Sequence, residues 1–222
     1  MFEYILKILT GLQISVTLTA FSLFFALGLS IVLTLILGLH RPFLSPIVKI
    51  YLTLFTGTPL LIQIFLIYYG PGQFPSLRSC AWLWHFLSQP WLCAMMALTL
   101  NSAAYTTQLF YGALRALPVG QWEACQALGM SKTQALRILL PFALKRALSS
   151  YSNEVVLIFK STSLVYTITL MDLMGYTQLI YGRTYDIKAF LAVGIIYFCI
   201  NGVLTLLMRF VERKGLAFER RH

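Results

Sequence analysis

Charge is scarce in this sequence, and acidic charge is scarcer: 11% of the 222 residues are charged and seven are Asp or Glu, while 59% are hydrophobic. Soluble domains are about one quarter charged, so that class is excluded; the composition indicates an all-α integral membrane protein. Cysteine and histidine are also few. Cys80, Cys93, Cys125 and Cys199 lie far apart without C-x-x-C spacing, and His40, His85 and His222 are equally scattered, so neither a disulfide framework nor a metal site is indicated. No cluster of His, Cys or carboxylates offers the reactive geometry of a membrane enzyme. No G-x-x-x-x-G-K-[ST] loop is present, so no cofactor is expected in this chain and any ATP-derived energy comes from another subunit. No internal inverted repeat marks a secondary transporter. The amino terminus lacks the basic n-region, short apolar core and cleavage site of a removed signal peptide, and reads as uncleaved.

The charge that is present is basic, +10 net. Nucleic acid is one partner for such a balance, but in a chain this apolar the basic residues mark cytoplasmic loops; the expected partner is the lipid bilayer, not nucleic acid. Of 17 Lys and Arg, two fall in a first inner loop (Arg41, Lys49) and five around residues 114–146 (Arg115, Lys132, Arg137, Lys145, Arg146). Five more fall in the tail (Arg209, Arg213, Lys214, Arg220, Arg221). This bias predicts an outer amino terminus, a cytoplasmic carboxy terminus and an odd number of crossings.

About five spans satisfy that count, over 12–39, 50–69, 91–111, 142–165 and 189–208, in one transmembrane domain covering 12–211. An outer interfacial helix over 1–11 precedes it and a cytoplasmic tail over 212–222 follows. The uncharged run from Leu12 to Leu39 is 28 residues long where about 20 suffice, so the first helix is tilted or protrudes. Residues 70–90 read as an outer loop with aromatic anchors, and 171–186 as a re-entrant or surface helix.

Polar residues inside the spans are the candidates for function. The second span contains Gly57, Thr58, Pro59 and Gln63; Gly and Pro are tolerated in a membrane where neighbouring helices or a wet cavity satisfy the freed backbone groups. A plain proline kink is the alternative to a path-lining role. In the third span, close packing explains most of the small and hydroxylic residues, and Asn101 stands apart. Glu154 in the fourth span costs roughly 2.5 to 3.5 kcal/mol to insert, so it must face a partner or a wet cavity. Lys160 lies about 9 Å further along on nearly the opposite face, which argues against a direct pair. An embedded carboxylate suits a cationic guest; it equally suits a structural pairing with a basic residue of another membrane subunit.

The most informative stretch is 114–141. Pro118 suits the first turn of a short helix and Gly129 its left-handed close, and Ser131 with Gln134 forms a capping-box pattern that opens a second short helix. Glu123-Ala124-Cys125, then Gly129, then Leu139-Leu140-Pro141 follow the spacing of the cytoplasmic coupling loop in the membrane subunits of bacterial ABC importers, and the chain resembles that family. Cys125 departs from the family's alanine. An amphipathic helix pair lying on the bilayer surface is the bland alternative.

The runs Thr56–Gln63 and Lys160–Leu164 resemble the polar amino-acid branch, which has Arg where this chain has Thr56. The branch also has Glu and Arg where this chain has Gln108 and Tyr111. The resemblance implies a type I importer membrane domain in the bacterial cytoplasmic membrane, with Glu123, Ala124, Gly129 and Pro141 coupling to an ATPase. It implies a related membrane subunit, two ATP-binding subunits that hold ATP and magnesium, and an external solute-binding protein. Candidates for the substrate path are Glu154, Asn101, Thr58, Pro59, Gln63, Ser161 and Thr162. Arginine is the first substrate implied; histidine, lysine, ornithine or glutamine, or an ATP-independent transporter, are the alternatives.

Overall fold

The computed structural model describes residues 1–215, so Arg220, Arg221 and His222 of the expected tail lie outside the described residues. Among the described residues all regular structure is helical. The helices are α1 (Phe2–Leu9), α2 (Leu12–Gly38), α3 (Leu44–Gly57), α4 (Leu60–Tyr69), α5 (Pro75–Ser79), α6 (Ala81–Leu87), α7 (Pro90–Arg115), α8 (Val119–Ala127), α9 (Lys132–Ser161), α10 (Leu173–Thr184) and α11 (Lys188–Gly215). Short 3-10 turns over Pro71–Gln73 and Thr162–Ile168 complete the regular structure of the described residues.

The packing follows membrane logic. α2 buries Ser15, Leu18, Ser22, Ala26, Ser30 and Thr34 along one face and exposes Phe21, Phe24, Phe25 and Val32 on the others. Small and hydroxylic residues let helices approach closely where lipid is as apolar as the core. Thr19 donates to the Ser15 carbonyl at 2.7 Å and Thr34 to that of Ser30 at 2.7 Å. Ser22 instead donates across to the Met95 carbonyl at 3.4 Å, and the buried Ser15 hydroxyl has no hydrogen-bond partner among the described residues. α2 lies along α7, which buries Ala94, Ala97, Leu98, Asn101 and Ser102. α9 packs on the same helix. At the other end, α1 places its fully buried Ile8 against Leu173, Ile180 and Ala192.

Two of the expected spans are not straight. The stretch 50–69 is divided: Thr58 and Pro59 are extended (ψ 144° and 134°), and α3 meets the following segment at 107°. Pro59 forces its predecessor out of the helical region, which ends α3. The end of α9 and its 3-10 continuation meet α10 at 50°. By length and apolarity alone α2 and α11 qualify as single crossings, and the two bent pairs bring the number to four. The remaining expected span is α7, about 39 Å long but interrupted by Asn101, Ser102, Thr106 and Thr107.

The second short helix expected after Gly129 is instead the start of a 30-residue helix, with Pro141 inside it. Proline removes one backbone donor, and the carbonyl it would have bonded belongs to Arg137. Both residues are exposed, so the missing bond falls on an outer face and the helix continues. The stretch 70–90 is also more ordered than a loop, because α5 and α6 fold there with Arg78 stacked 5.8 Å over Trp84.

Candidate functional site

The α3–α4 break opens one side of a pocket of about 430 Å³. Thr56, Gly57, Thr58 and Pro59 line it from the break, Asn101 and Tyr105 from α7, and Glu154, Leu157 and Ser161 from α9. The α9 residues share a face because they recur at intervals of three, four and seven along the helix. Glu154 is 6% exposed, and apart from the Tyr105 phenol it is the only ionisable group in the lining. A second pocket, about 460 Å³, adjoins it across Tyr105, Glu154 and Leu157 and adds Gln108, Ser150 and Asn153. The carboxyl thus stands between two cavities, with Ser102, whose buried hydroxyl has no other partner, facing it from α7.

The break is held open by side-chain amides. The Gln63 amide nitrogen donates to the carbonyls of Phe55 at 2.8 Å and Thr58 at 3.0 Å and to the Thr58 hydroxyl at 2.8 Å. Asn101 donates to the Gln63 side-chain oxygen at 3.0 Å and to the Phe55 carbonyl at 3.3 Å. These bonds satisfy carbonyls that the end of α3 leaves without helical partners. Tyr105 donates to the Thr56 carbonyl at 3.3 Å, and the Gln108 amide reaches the Thr56 hydroxyl at 3.5 Å.

The structure therefore brings Thr58, Pro59, Asn101, Glu154 and Ser161 to one pocket. Gln63 lies behind it, 4% exposed, and holds the break rather than lining it. Thr162 is fully buried, donates to the Phe159 carbonyl at 2.8 Å and is not part of the lining. Lys160 is exposed, on a different face of α9 from Glu154. Sequence reasoning passed over Tyr105, Ser150, Asn153 and Leu157 as site residues. The helical spacing from Glu154 points to Ser150 and Leu157 on α9, but not to Asn153, one position away, and nothing in the sequence pairs Tyr105 with them. Among the described residues no three His, Cys, Asp or Glu side chains converge as a metal would need.

The motif at 114–141 forms a separate surface. α8 buries only Cys125, against Leu114, Leu117, Leu136 and Leu139, so a small side chain is needed there. Glu123 and Ala124 are exposed, and so are the apolar Val119 and Leu128, at 70% and 74%. Gly129 has φ +71°; its N–H donates to the Gln126 carbonyl at 2.9 Å and the next N–H, of Met130, to Cys125 at 3.0 Å. That is a Schellman closure, which glycine adopts without strain. Ser131 then caps α9 in a reciprocal box with Gln134. Pro141 is the tenth residue of α9, about 13 Å along its axis from the start and not on α8.

A helical bundle with a broken span around a buried carboxylate, and a short exposed helix outside the bundle, is the build of a transporter membrane subunit. The family of binding-protein-dependent transport system inner membrane components matches residues 5–215, and the chain belongs to that family. It is a transport subunit of the inner membrane, not an enzyme. Over its full 222 residues, covering all of both chains, it is 67% identical to the arginine ABC transporter permease protein ArtM of Escherichia coli (strain K12). It is 53% identical to the protein of the same name from Haemophilus influenzae, over 98% of this chain and 96% of that one. It is 39% identical to the octopine transport system permease protein OccM of Rhizobium meliloti, over 96% and 87%. A solved amino acid ABC transporter with histidines superposes with a TM-score of 0.82 at 25% identity, covering 96% of each chain. The MetNI methionine ABC transporter in an inward-facing conformation shares the fold, with a TM-score of 0.76 at 20% identity over 94% and 96%.

Proposed function

We propose that this chain is the membrane permease subunit of an ATP-driven importer of L-arginine. The observation that carries the reading is Glu154: a buried carboxyl between two cavities, in a lining that offers no basic side chain. A guanidinium entering there meets an opposite charge in a medium where attraction is stronger than in water. The 67% identity to a permease named for arginine supports the same substrate. Thr58, Pro59, Asn101 and Ser161 line the path beside Glu154, and Gln63 keeps it open.

The pathway is completed by a related membrane subunit, so the assembly is a heterodimer served by two ATP-binding subunits and an external solute-binding protein. ATP and magnesium reside in the ATPase. The amino terminus lies outside and the carboxy terminus in the cytoplasm, which puts α8 on the ATPase side. Glu123, Ala124 and Gly129 form the coupling surface, and the exposed Val119 and Leu128 give it an apolar contact. Closure of the ATPase pair pushes α8 and biases the bundle between outward-open and inward-open states.

The test is uptake of labelled arginine into vesicles holding the assembled transporter, with Glu154→Gln compared to wild type. The neutral variant is expected to assemble and hydrolyse ATP while losing arginine uptake by at least about tenfold, equivalent to ~1.4 kcal/mol. Unchanged uptake places Glu154 outside the path and moves specificity to the partner or the binding protein.

A further inference from the structure

A third pocket, of different chemistry, lies at the α8 end of the bundle. It holds about 330 Å³ and is lined by Gly38 at the end of α2, Tyr111, Leu114 and Arg115 at the end of α7, Trp122 and Gln126 of α8, and Lys132 and Leu136 at the start of α9, with His40 beside them. Three potentially cationic side chains, those of His40, Arg115 and Lys132, share this lining, and no carboxylate belongs to it. Arg115 is stacked 5.9 Å over the Tyr111 ring, which fixes its guanidinium at the pocket. The His40 ring is anchored by its Nδ1, 2.9 Å from the Gly38 carbonyl, which leaves Nε2 as its free nitrogen. Leu114 and Leu136 give the pocket an apolar floor, both buried.

We propose that this pocket binds the phosphate-bearing headgroup of an anionic phospholipid. Resting on the reading that the α8 end faces the cytoplasm, it lies where the spans meet the headgroups. A cationic cluster over an apolar floor, edged by Trp122, matches a molecule with an anionic head and an apolar body. A planar guanidinium and an ammonium complement a phosphate by paired and point contacts respectively. The bound lipid joins three elements: the end of α7, the coupling helix α8 and the start of α9. Transmission from α8 into the bundle then depends on the lipid composition of the inner leaflet.

The assembled transporter is reconstituted in nanodiscs of phosphatidylcholine, with or without phosphatidylglycerol, and inorganic phosphate is added to a further set of phosphatidylcholine discs. Phosphatidylglycerol retained per transporter is counted by native mass spectrometry, and hydrolysis stimulated by the loaded binding protein is recorded in parallel. Wild type should retain the anionic lipid. The double variant Arg115→Gln/Lys132→Gln should bind it about 25-fold more weakly, about fivefold for each cation removed. Phosphatidylglycerol should raise stimulated hydrolysis in wild type only, with equal rates for both proteins in phosphatidylcholine.

Equal retention by wild type and variant overturns the site. Stimulation by inorganic phosphate alone overturns the lipid as its source, and loss of the ATPase from the purified variant assigns these cations to a protein contact instead. A retention difference without stimulated hydrolysis in any disc upholds the site and removes the importer reading.

Discussion

Three acceptors converge on the amide nitrogen of Gln63, and its oxygen accepts from Asn101, so two residues 38 positions apart close the carbonyl end of α3. Removing such a donor leaves buried carbonyls unpaired, at about 1–3 kcal/mol. Gln63→Ala is expected to lower the thermal unfolding midpoint of the detergent-solubilised chain, whereas Ser161→Ala, whose hydroxyl donates only to the Leu157 carbonyl of its own helix, should not. Gly129 is a different case. A Cβ built there meets nothing within 4 Å, so the position is demanding through its φ of +71° and not through crowding. Gly129→Asn should therefore keep most arginine-stimulated ATP hydrolysis, because Asn enters the left-handed region readily. Gly129→Val should cost about 1–2 kcal/mol at the closure and uncouple hydrolysis from uptake.

Thr56 and Gln108 stand where the polar amino-acid branch that the sequence resembles has Arg and Glu, and these two neutral side chains meet at 3.5 Å. Sequence reasoning notes each substitution separately; only the fold reveals that they are neighbours across α3 and α7.

Among the elements, α8 is held by one small buried residue and by its closure at Gly129, and it turns Val119 and Leu128 to solvent. In the proposed assembly these apolar side chains, exposed at 70% and 74% at the two ends of α8, are covered by the ATPase. Leu128→Ser is expected to weaken co-purification of the ATPase at least several-fold without changing the amount of chain in the membrane, as read by quantitative blotting of both fractions.

The local bonds of this region were legible from sequence, since the capping box at Ser131 and the left-handed close at Gly129 depend on near neighbours only. The depth of the α3–α4 break was not. A gentle kink and a 107° turn share the same Gly-Thr-Pro signature, and Gln63 and Asn101, brought together by tertiary packing, hold the larger one. Pro141 misled for the converse reason: proline usually ends a helix, but here its lost bond lies on an exposed face of α9 and the helix runs through. The carboxylate was visible as a costly charge in an apolar run. The company it keeps from α7 was not, because face-to-face placement of two long helices is set by packing along their whole length.

For the molecule as a whole, the proposed orientation rests on the basic bias of the loops. Single cysteines introduced for Glu3 and Arg213, in a background with Cys80 and Cys199 replaced, should label with a membrane-impermeant thiol reagent from opposite sides of intact cells and inverted vesicles. Labelling of both from one side reverses the proposed orientation.

The unbroken course of α9 has a mechanical consequence. Its 30 residues make a rod about 45 Å long that starts beside α8 and carries Glu154 about 33 Å along. Near its middle the fully buried Ala143 and the nearly buried Ala147 leave little room for sideways travel. Under the proposed coupling, that contact serves as a fulcrum. A tilt of about 5° around it swings each end by roughly 2 Å in opposite senses. A stroke passed to the carboxyl in this way would be geared by the position of two alanines, so enlarging either one is expected to move the pivot and change the ratio of travel between the ends.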